Sequence, residues 1–220
     1  MNLKWISVFS ILLLSLGLSA QNIRPAGLNA YAGFGFAEYD ISSPASNFTM
    51  DRGVFASISG ERGFEFLNSY LTFSINLLQS KGQADYNYTP LSAPSVVAPG
   101  VDFDSNLFQF GLGYKIKIFD GGWFRPYAEI GYLGGYYQIE YSNVSSNITS
   151  GSASDAKTSD SLFDSGGYLE AGVEIDFSAE FGLKIAARQA DMKTGELDTL
   201  DQSAIDYKTT VVFLSVLKAF

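Results

Sequence analysis

Residues 107–136 limit the possible folds of this chain more than any other stretch. The first half alternates strictly, with apolar side chains on one side of an extended strand and polar residues or glycine on the other. After Asp120-Gly121-Gly122 a second alternating run follows. Alternation on both sides of an Asp-Gly turn predicts a β-hairpin. The apolar side of its first strand carries Phe108, Phe110, Leu112, Tyr114, Ile116 and Ile118; the other side carries Gln109, Gly111, Gly113, Lys115 and Lys117.

Glycines on the polar face indicate that this face looks into a narrow interior. A strand exposed to bulk water has no need of small residues, whereas a strand that lines a narrow lumen does. The same alternation recurs along the chain and predicts eight strands. They cover residues 27–38, 52–60, 71–77, 107–118, 124–136, 169–176, 183–188 and 205–220.

The connections between these strands alternate between long and short. Polar segments follow the first, third, fifth and seventh strands, and the longest covers residues 81–103. The other connections, including residues 61–67, are short. This asymmetry is typical of outer-membrane barrels, which close so that no backbone edge faces lipid. The sequence therefore predicts an all-β fold, an eight-stranded antiparallel up-and-down transmembrane β-barrel with short periplasmic turns and long external loops.

The N-terminus has the pattern of a secretory signal peptide. Lys4 supplies a positive charge, residues 5–16 are apolar, and Ser19-Ala20 offers small residues for cleavage before Gln21. Cleavage one residue earlier, after Ser19, stays open. We expect residues 1–20 to be the signal peptide and residues 21–220 to be the barrel domain.

Composition argues against several classes of function. The chain has no histidine and no cysteine, so the commonest general base, thiol nucleophiles and disulfides are absent. A net charge of −9 offers no basic surface for phosphates, and no nucleic-acid partner is expected. The acidic residues Asp102, Asp104, Asp198 and Asp201 lack the spacing of a calcium-binding loop. We expect no cofactor, no metal site and no enzymatic activity.

The leader, the eight alternating runs and the terminal Phe220 resemble the small outer-membrane barrels of the OmpA and OmpX type. The texture rich in glycine and tyrosine resembles the generic PorT-like outer membrane β-barrel domain. This resemblance implies a chain set in the lipid bilayer and lipopolysaccharide of the bacterial outer membrane. It also implies that Phe220 is read by the barrel-assembly machinery, although Lys218 stands where a second aromatic residue is usual. It names no ligand for the external loops.

Opposite charges on the inward faces are the main candidate for a site. A hairpin of the sixth and seventh strands places Glu174 opposite Lys184 and Glu170 opposite Arg188. An eight-stranded barrel is only just wide enough for such side chains, and buried charges need partners. They form either a polar core that fills the barrel and fixes the strand register, or a path or gate for ions. The predicted network consists of Lys115, Glu129, Glu170, Glu174, Lys184 and Arg188.

Three functional hypotheses remain open at this point. In the first, the chain is a membrane-embedded barrel with a filled lumen whose external loops serve structure, adhesion or interaction. The second is a narrow, porin-like channel for ions or very small solutes. The third is a secreted, soluble, lipocalin-like barrel with an apolar ligand inside. Glycine and serine dominate the polar faces where a soluble exterior would carry denser charge, and this argues against the third hypothesis.

Overall fold

The computed structural model describes residues 27–42, 49–64, 68–88, 96–118, 122–142, 159–194 and 206–220. The predicted signal peptide lies outside these residues. Within the described ranges, no helix is long and apolar enough to cross a membrane. The strands are β1 (Leu28–Ser42), β2 (Thr49–Met50), β3 (Gly53–Phe64), β4 (Ser69–Tyr88), β5 (Val96–Lys117), β6 (Phe124–Tyr141), β7 (Ser159–Asp176), β8 (Phe181–Thr194) and β9 (Asp206–Ala219).

Eight of these strands close into an antiparallel barrel, which confirms the predicted fold. Each long strand pairs with the next one along the chain, and β9 pairs with β1. The two-residue β2 extends the wall by pairing with β4 beyond the end of β3. Following hydrogen-bonded partners once around the barrel returns to β1 displaced by ten residues. For eight strands, this shear corresponds to a tilt of about 40°.

The two ends of the barrel differ. Short connections between β3 and β4, β5 and β6, and β7 and β8 lie at one end, which we call the turn end; the opposite end is the loop end. The prediction of a long loop at residues 81–103 is wrong, because β4 continues to Tyr88 and β5 begins at Val96. These two strands form a ribbon that projects at the loop end. Residues 61–64, predicted as a connection, belong to β3.

An apolar band surrounds the outside of the barrel. Along β5 and the residue that follows it, the band extends from Phe108 to Ile118, ten residue steps, or about 26 Å along the barrel axis at this tilt. That height matches the apolar belt of outer-membrane barrels. Exposed aromatic residues line both of its margins, as expected where a barrel meets lipid headgroups. They are Phe64, Trp123, Phe177, Phe181 and Phe220 toward the turn end, and Phe36, Phe108, Tyr136 and Phe163 toward the loop end.

The polarity of the wall inverts above this band. On β5, the apolar residues from Phe108 toward the turn end face outward. Closer to the loop end, Val101, Phe103 and Leu107 face inward and are buried. The outward positions of the same segment are polar, so the strand continues while its two faces exchange chemistry. The outward side chains of the loop-end wall are Gln79, Lys81, Gln83, Asp102, Asp104, Asn106, Gln138, Glu140, Gln189, Asp191, Lys193, Asp206, Lys208 and Thr210.

Candidate functional site

Ten buried ionisable side chains fill the turn-end side of the lumen, and we call this set the ionic plug. Five are cations and five are carboxylates, so the set is electrically balanced when all are ionised. The strand alternation directs them inward, because each occupies the face opposite to the apolar band. The members are Lys115, Lys117, Arg125, Lys184 and Arg188, with Glu61, Glu129, Glu170, Glu174 and Asp176.

Glu61 joins β3 to β5 across the intervening strand. Its carboxylate lies 2.6 Å from Lys115 Nζ and 2.5 Å from Lys117 Nζ, and the side chain is fully buried. The amide of Asn29 on β1 donates to the same carboxylate at 2.8 Å. Three strands are therefore tied together through the interior, in addition to their backbone hydrogen bonds.

Glu174 is the most connected carboxylate of the plug. Lys117 Nζ lies 2.9 Å from it, and the nitrogens of Lys115 and Arg125 each lie 3.3 Å away. The Tyr31 hydroxyl donates to it at 2.8 Å. Since these contacts come from β1, β5 and β6, Glu174 links strands on opposite sides of the lumen. Arg125 also reaches Asp176 at 2.9 Å, which closes the plug at the turn end.

Glu170 forms a second centre nearer the middle of the barrel. It lies 2.8 Å from Lys184 Nζ and 2.7 Å from an Arg188 nitrogen, and it accepts a hydrogen bond from the Tyr127 hydroxyl at 2.7 Å. Glu129 accepts from the Tyr168 hydroxyl at 2.5 Å. Charge-assisted hydrogen bonds of this kind are what makes burial of ionised groups tolerable.

Aromatic rings supply a further part of the surroundings of the cations. Lys117 Nζ lies 3.8 Å from the centroid of the Tyr70 ring, and Lys115 Nζ lies 4.4 Å from that of Tyr127. The guanidinium carbon of Arg188 lies 4.7 Å from the Tyr168 ring. Faces of aromatic rings attract cations, and the attraction is stronger when both groups are desolvated.

The structure places all six residues of the predicted network in the plug. Glu174 and Glu170 lie opposite Lys184 and Arg188 in the strand register. The close contacts, however, do not follow the register everywhere, because the ion pair of Lys184 in the described structure is with Glu170. Sequence reasoning missed four members of the plug. They are Glu61, Lys117, Arg125 and Asp176.

The alternation of the strands could have identified most of the missed residues, because they lie two positions from other inward-facing residues. Glu61 follows Ser57 and Ser59 on the inward side of β3, and Lys117 follows Lys115 on β5. The sequence prediction places Glu61 in a connection between strands, and therefore does not include it as a partner of Lys115 and Lys117. Contacts between strands that are not neighbours cannot be read from hairpin register at all.

On the loop-end side, the lumen is filled by a cluster of apolar side chains, the loop-end core. Its members come from all eight long strands and are nearly all below 5% exposure. Phe103 and Tyr141 contact edge to face with ring centroids 6.4 Å apart. The larger members are Phe55, Leu78, Val101, Phe103, Leu107, Ile139, Tyr141, Leu162, Val211 and Phe213.

Outside the barrel, the acidic residues of the loop-end ribbon already have partners. Asp104 pairs with Lys81 at 3.2 Å, and Asp102 accepts from the Gln83 amide at 2.7 Å. Asp198 and Asp201 lie outside the described residues. No group of three or more acidic side chains in the described part of the chain is arranged to hold a metal ion. Phe220 is exposed at the turn-end margin of the apolar band.

Comparison with known proteins gives matches in sequence and in fold. The sequence model of a family described as "Outer membrane protein beta-barrel domain" matches residues 9–217. The chain is similar in structure to Neisserial surface protein A, with 15% identity, a TM-score of 0.55, and coverage of 88% of this chain and 97% of that chain. At such identity the likeness concerns the fold alone. No curated protein sequence matches the chain significantly.

Two further solved structures have lower scores. Ail, the attachment invasion locus protein of Yersinia pestis, is 11% identical, with a TM-score of 0.45 and coverage of 88% of this chain and 99% of that chain. The outer membrane protein OprG of Pseudomonas aeruginosa is 12% identical, with a TM-score of 0.47 and coverage of 91% and 100% respectively.

Proposed function

This chain belongs to the outer membrane protein beta-barrel domain family, and from that premise we propose that it is a closed, non-conducting barrel that acts through its loop end as a surface interaction protein. Family membership assigns it to the bacterial outer membrane. The turn end then faces the periplasm and the loop end faces the outside. The proposed role is binding or adhesion at the cell surface, with the barrel as a rigid anchor.

The observation that carries this proposal is the double filling of the lumen. The ionic plug occupies the turn-end side, and the loop-end core occupies the other side with side chains such as Phe103 and Ile139. An ion that entered from outside would have to pass the apolar side chains of the loop-end core before it reached the ionic plug. Small barrels have interiors that side chains can fill, whereas aqueous channels belong to much larger ones.

The loop-end ribbon of β4 and β5 supports the interaction role. It rises well beyond the apolar band, carries polar groups outward and is held by an apolar core inward, so it has the composition of a soluble sheet. Its outer side includes a cleft of about 520 Å³ bordered by Asp51, Lys81, Gln83, Asp102 and Asp104. A stiff, polar wall above the lipid is suited to presenting contacts to a partner without refolding.

Conductance in planar lipid bilayers tests the closed lumen. We expect the refolded chain to insert without producing stepwise currents. The informative variant is K184E with R188E, which reverses two plug charges on β8, and its matched control is K193E with K208E on the outer faces of β8 and β9. Stepwise currents from the natural chain that change in the first variant and not in the second would replace the proposal with the channel hypothesis.

The channel hypothesis has one observation in its favour. Lys115 lies within 4.0 Å of three carboxylates, those of Glu61, Glu129 and Glu174, so its partners could exchange without a large movement. Exchange of partners inside the plug would still leave the loop-end core closed. For this reason the closed barrel is the function that the geometry supports better.

Shortening the ribbon tests the interaction role. Replacing residues 82–102 with a short turn removes the projecting part of β4 and β5 and keeps the apolar band. We expect the variant to retain heat-modifiable migration on a gel, the sign of a folded barrel, while cells that display it lose adherence to glass and to one another. W123A, at the turn end, is the control. Unchanged adherence of the shortened barrel would contradict the proposed role.

The proposed role is not enzymatic. The carboxylates of the ionic plug are held by cations, as Glu170 is held by Lys184 and Arg188. A carboxylate in that environment stays ionised and does not serve as a general acid. An assembly role for Phe220 also belongs to the proposal, supported by its exposure directly after β9.

A further inference from the structure

Asp164 is a buried carboxylate that differs from every carboxylate of the ionic plug. It lies on the inward face of β7, six residues closer to the loop end than Glu170, and it is fully buried. The Tyr207 hydroxyl and the Gln109 amide donate to it. In the described part of the chain, its Oδ1 atom has no hydrogen-bond partner, and no lysine or arginine forms an ion pair with it. A buried charge without a counter-charge is strongly disfavoured.

The plug shows what is missing at Asp164. Three of its carboxylates each combine a tyrosine hydroxyl with a cation. Glu170, for example, accepts from Tyr127 at 2.7 Å and lies 2.8 Å from Lys184. Asp164 has the corresponding hydroxyl, from Tyr207, but no cation among the described residues pairs with it. The plug itself is already balanced, so no side chain of the plug is left over to supply it.

Two further tyrosine side chains interact with Asp164. The Tyr39 hydroxyl is hydrogen-bonded to Ser80 and the Tyr137 hydroxyl to Ser105, and both tyrosines interact electrostatically with the Asp164 carboxylate. The hydroxyl oxygens of Ser80 and Ser105 lie 2.7 Å apart. A layer of hydroxyl and carboxylate oxygens is the ligand chemistry that hard cations prefer.

A second buried oxygen without a donor belongs to the same layer. Asn76 lies opposite Gln109 in the register of β4 and β5, and its Oδ1 atom also has no hydrogen-bond partner in the described structure. Asn76 and Asp164 are therefore both neighbours of Gln109, which lies opposite the first in the sheet and donates to the second. Because the layer contains one carboxylate, a monovalent cation balances its charge and a divalent cation does not.

A surface cleft lies beside this layer. This cleft, of about 230 Å³, lies at the loop ends of β8 and β9. Its inner side is formed by Met192 and Tyr207, and Tyr207 is the residue that donates to Asp164. The exposed rim consists of Asp191, Lys193, Asp206 and Lys208.

We propose that Asp164 is the centre of a buried monovalent-cation site, filled by Na⁺ or K⁺ from the external medium, with oxygens of Asn76 and Tyr207 beside it. The ion supplies the counter-charge that lysine and arginine supply in the plug. The site lies on the external side of the plug, so it does not depend on whether the lumen conducts.

Stability of the refolded full-length barrel in detergent tests this site. The unfolding midpoint is measured in NaCl, in KCl and in N-methylglucamine chloride, at equal ionic strength and at one neutral pH. N-methylglucamine is too bulky to enter the layer. A bound ion stabilises the folded state by mass action, and at saturation we expect a midpoint about 5 °C higher with Na⁺ or K⁺ than with N-methylglucamine.

Two variants assign that response to the site. D164N removes the charge at constant volume, and we expect its midpoint to be the same in all three salts. E140Q changes an exposed carboxylate on the outer face of β6, outside the cleft, and should respond to the salts as the natural chain does. An equal midpoint of the natural chain in the three salts would overturn the proposal. So would a carboxylic-acid C=O stretch in its infrared spectrum at neutral pH that D164N lacks, because a proton would then neutralise Asp164.

Discussion

The ionic plug and the loop-end core occupy the same lumen, are built on the same strands and have opposite chemistry. The plug holds Lys115, Glu174 and their partners behind a lipid-facing wall, whereas the core holds Phe103 and Ile139 behind a water-facing wall. The difference shows that the medium outside decides what is placed inside. Where lipid accepts the apolar face, the polar face must turn inward; where water surrounds the wall, the ordinary hydrophobic core returns.

The two regions also differ in how their contacts are distributed. Ion pairs of the plug are specific and link distant strands, as Glu61 does between β3 and β5. The stability of the loop-end core depends on close packing and on buried apolar area, and many side chains of the core contribute to both. Removal of one side chain should therefore have different consequences in the two regions, and four substitutions measure that difference.

The largest effect is expected from E174A. It leaves Lys115, Lys117 and Arg125 without their shared carboxylate in a dry interior, and breaking a buried ion network from one side costs about 3–5 kcal/mol. Urea unfolding of the barrel in detergent micelles measures this loss. The control is E180A, an exposed carboxylate 3.7 Å from Lys218, with an expected loss of less than about 1 kcal/mol. Similar losses for both would remove the distinction between plug and surface.

F103A is expected to have the next largest effect, and a local one. Phe103 is 2% exposed, and loss of a buried phenyl ring costs about 3 kcal/mol or more. Because the ionic plug is untouched, backbone amide hydrogen exchange should become faster in the loop-end ribbon. It should stay slow for the amides of β5 around Lys115. An equal increase along the whole of β5 would mean that the two regions unfold as one. F108A, on the lipid-facing side, serves as the comparison.

G113A tests how little room the plug leaves. A Cβ atom at Gly113 would lie within 3.0 Å of side-chain oxygens of Tyr168, Thr72 and Glu129, and overpacking of this kind costs about 1–3 kcal/mol. Gly167 faces outward, and the nearest atom to a Cβ there is 3.9 Å away. We therefore expect G167A to leave the unfolding midpoint in urea unchanged or slightly raised. A neutral G113A would show that the lumen is not filled as tightly as the structure indicates.

K81A should have the smallest effect. Lys81 and Asp104 form an exposed pair at 3.2 Å on the outer face of the ribbon, and such pairs contribute about 0–1 kcal/mol. Salt should reduce even that contribution, because exposed charges are screened. Thermal unfolding at low and high ionic strength measures both quantities. A loss as large as that of E174A would mean that the external wall, too, depends on ion pairs.

Alternation in the sequence predicted the barrel, its inward faces and the register of the hairpin of β7 and β8, because these properties follow from local pattern. The prediction of a loop at residues 81–103 was wrong because the apolar residues there move from one face of the strand to the other. Apolar residues occupy odd positions at Phe103 and Leu107 and even positions from Phe108 onward, and this shift resembles the end of a strand. In the structure it marks the level at which the wall leaves the lipid. Once a barrel is assumed, such a shift of the apolar residues from one face to the other indicates where the strand leaves the lipid.

The interior contacts were only partly predictable for a different reason. Hairpin register relates neighbouring strands, such as β7 and β8 with Glu170 and Arg188. Contacts such as Lys115 with Glu174 join β5 to β7 through the lumen, and they depend on barrel closure and shear. Closure is a property of all eight strands together, so no local pattern in the sequence encodes it.

The equal numbers of cations and carboxylates in the ionic plug have an electrical consequence. A voltage across a membrane acts on net charge, at about 2.3 kcal/mol per elementary charge for each 100 mV. In the plug the force on each ammonium or guanidinium group is cancelled by the force on the carboxylate bound to it. Because the net charge of the ionic plug is zero, a voltage exerts no net force on it. The conformation of the plug should therefore be the same in polarised and in depolarised cells.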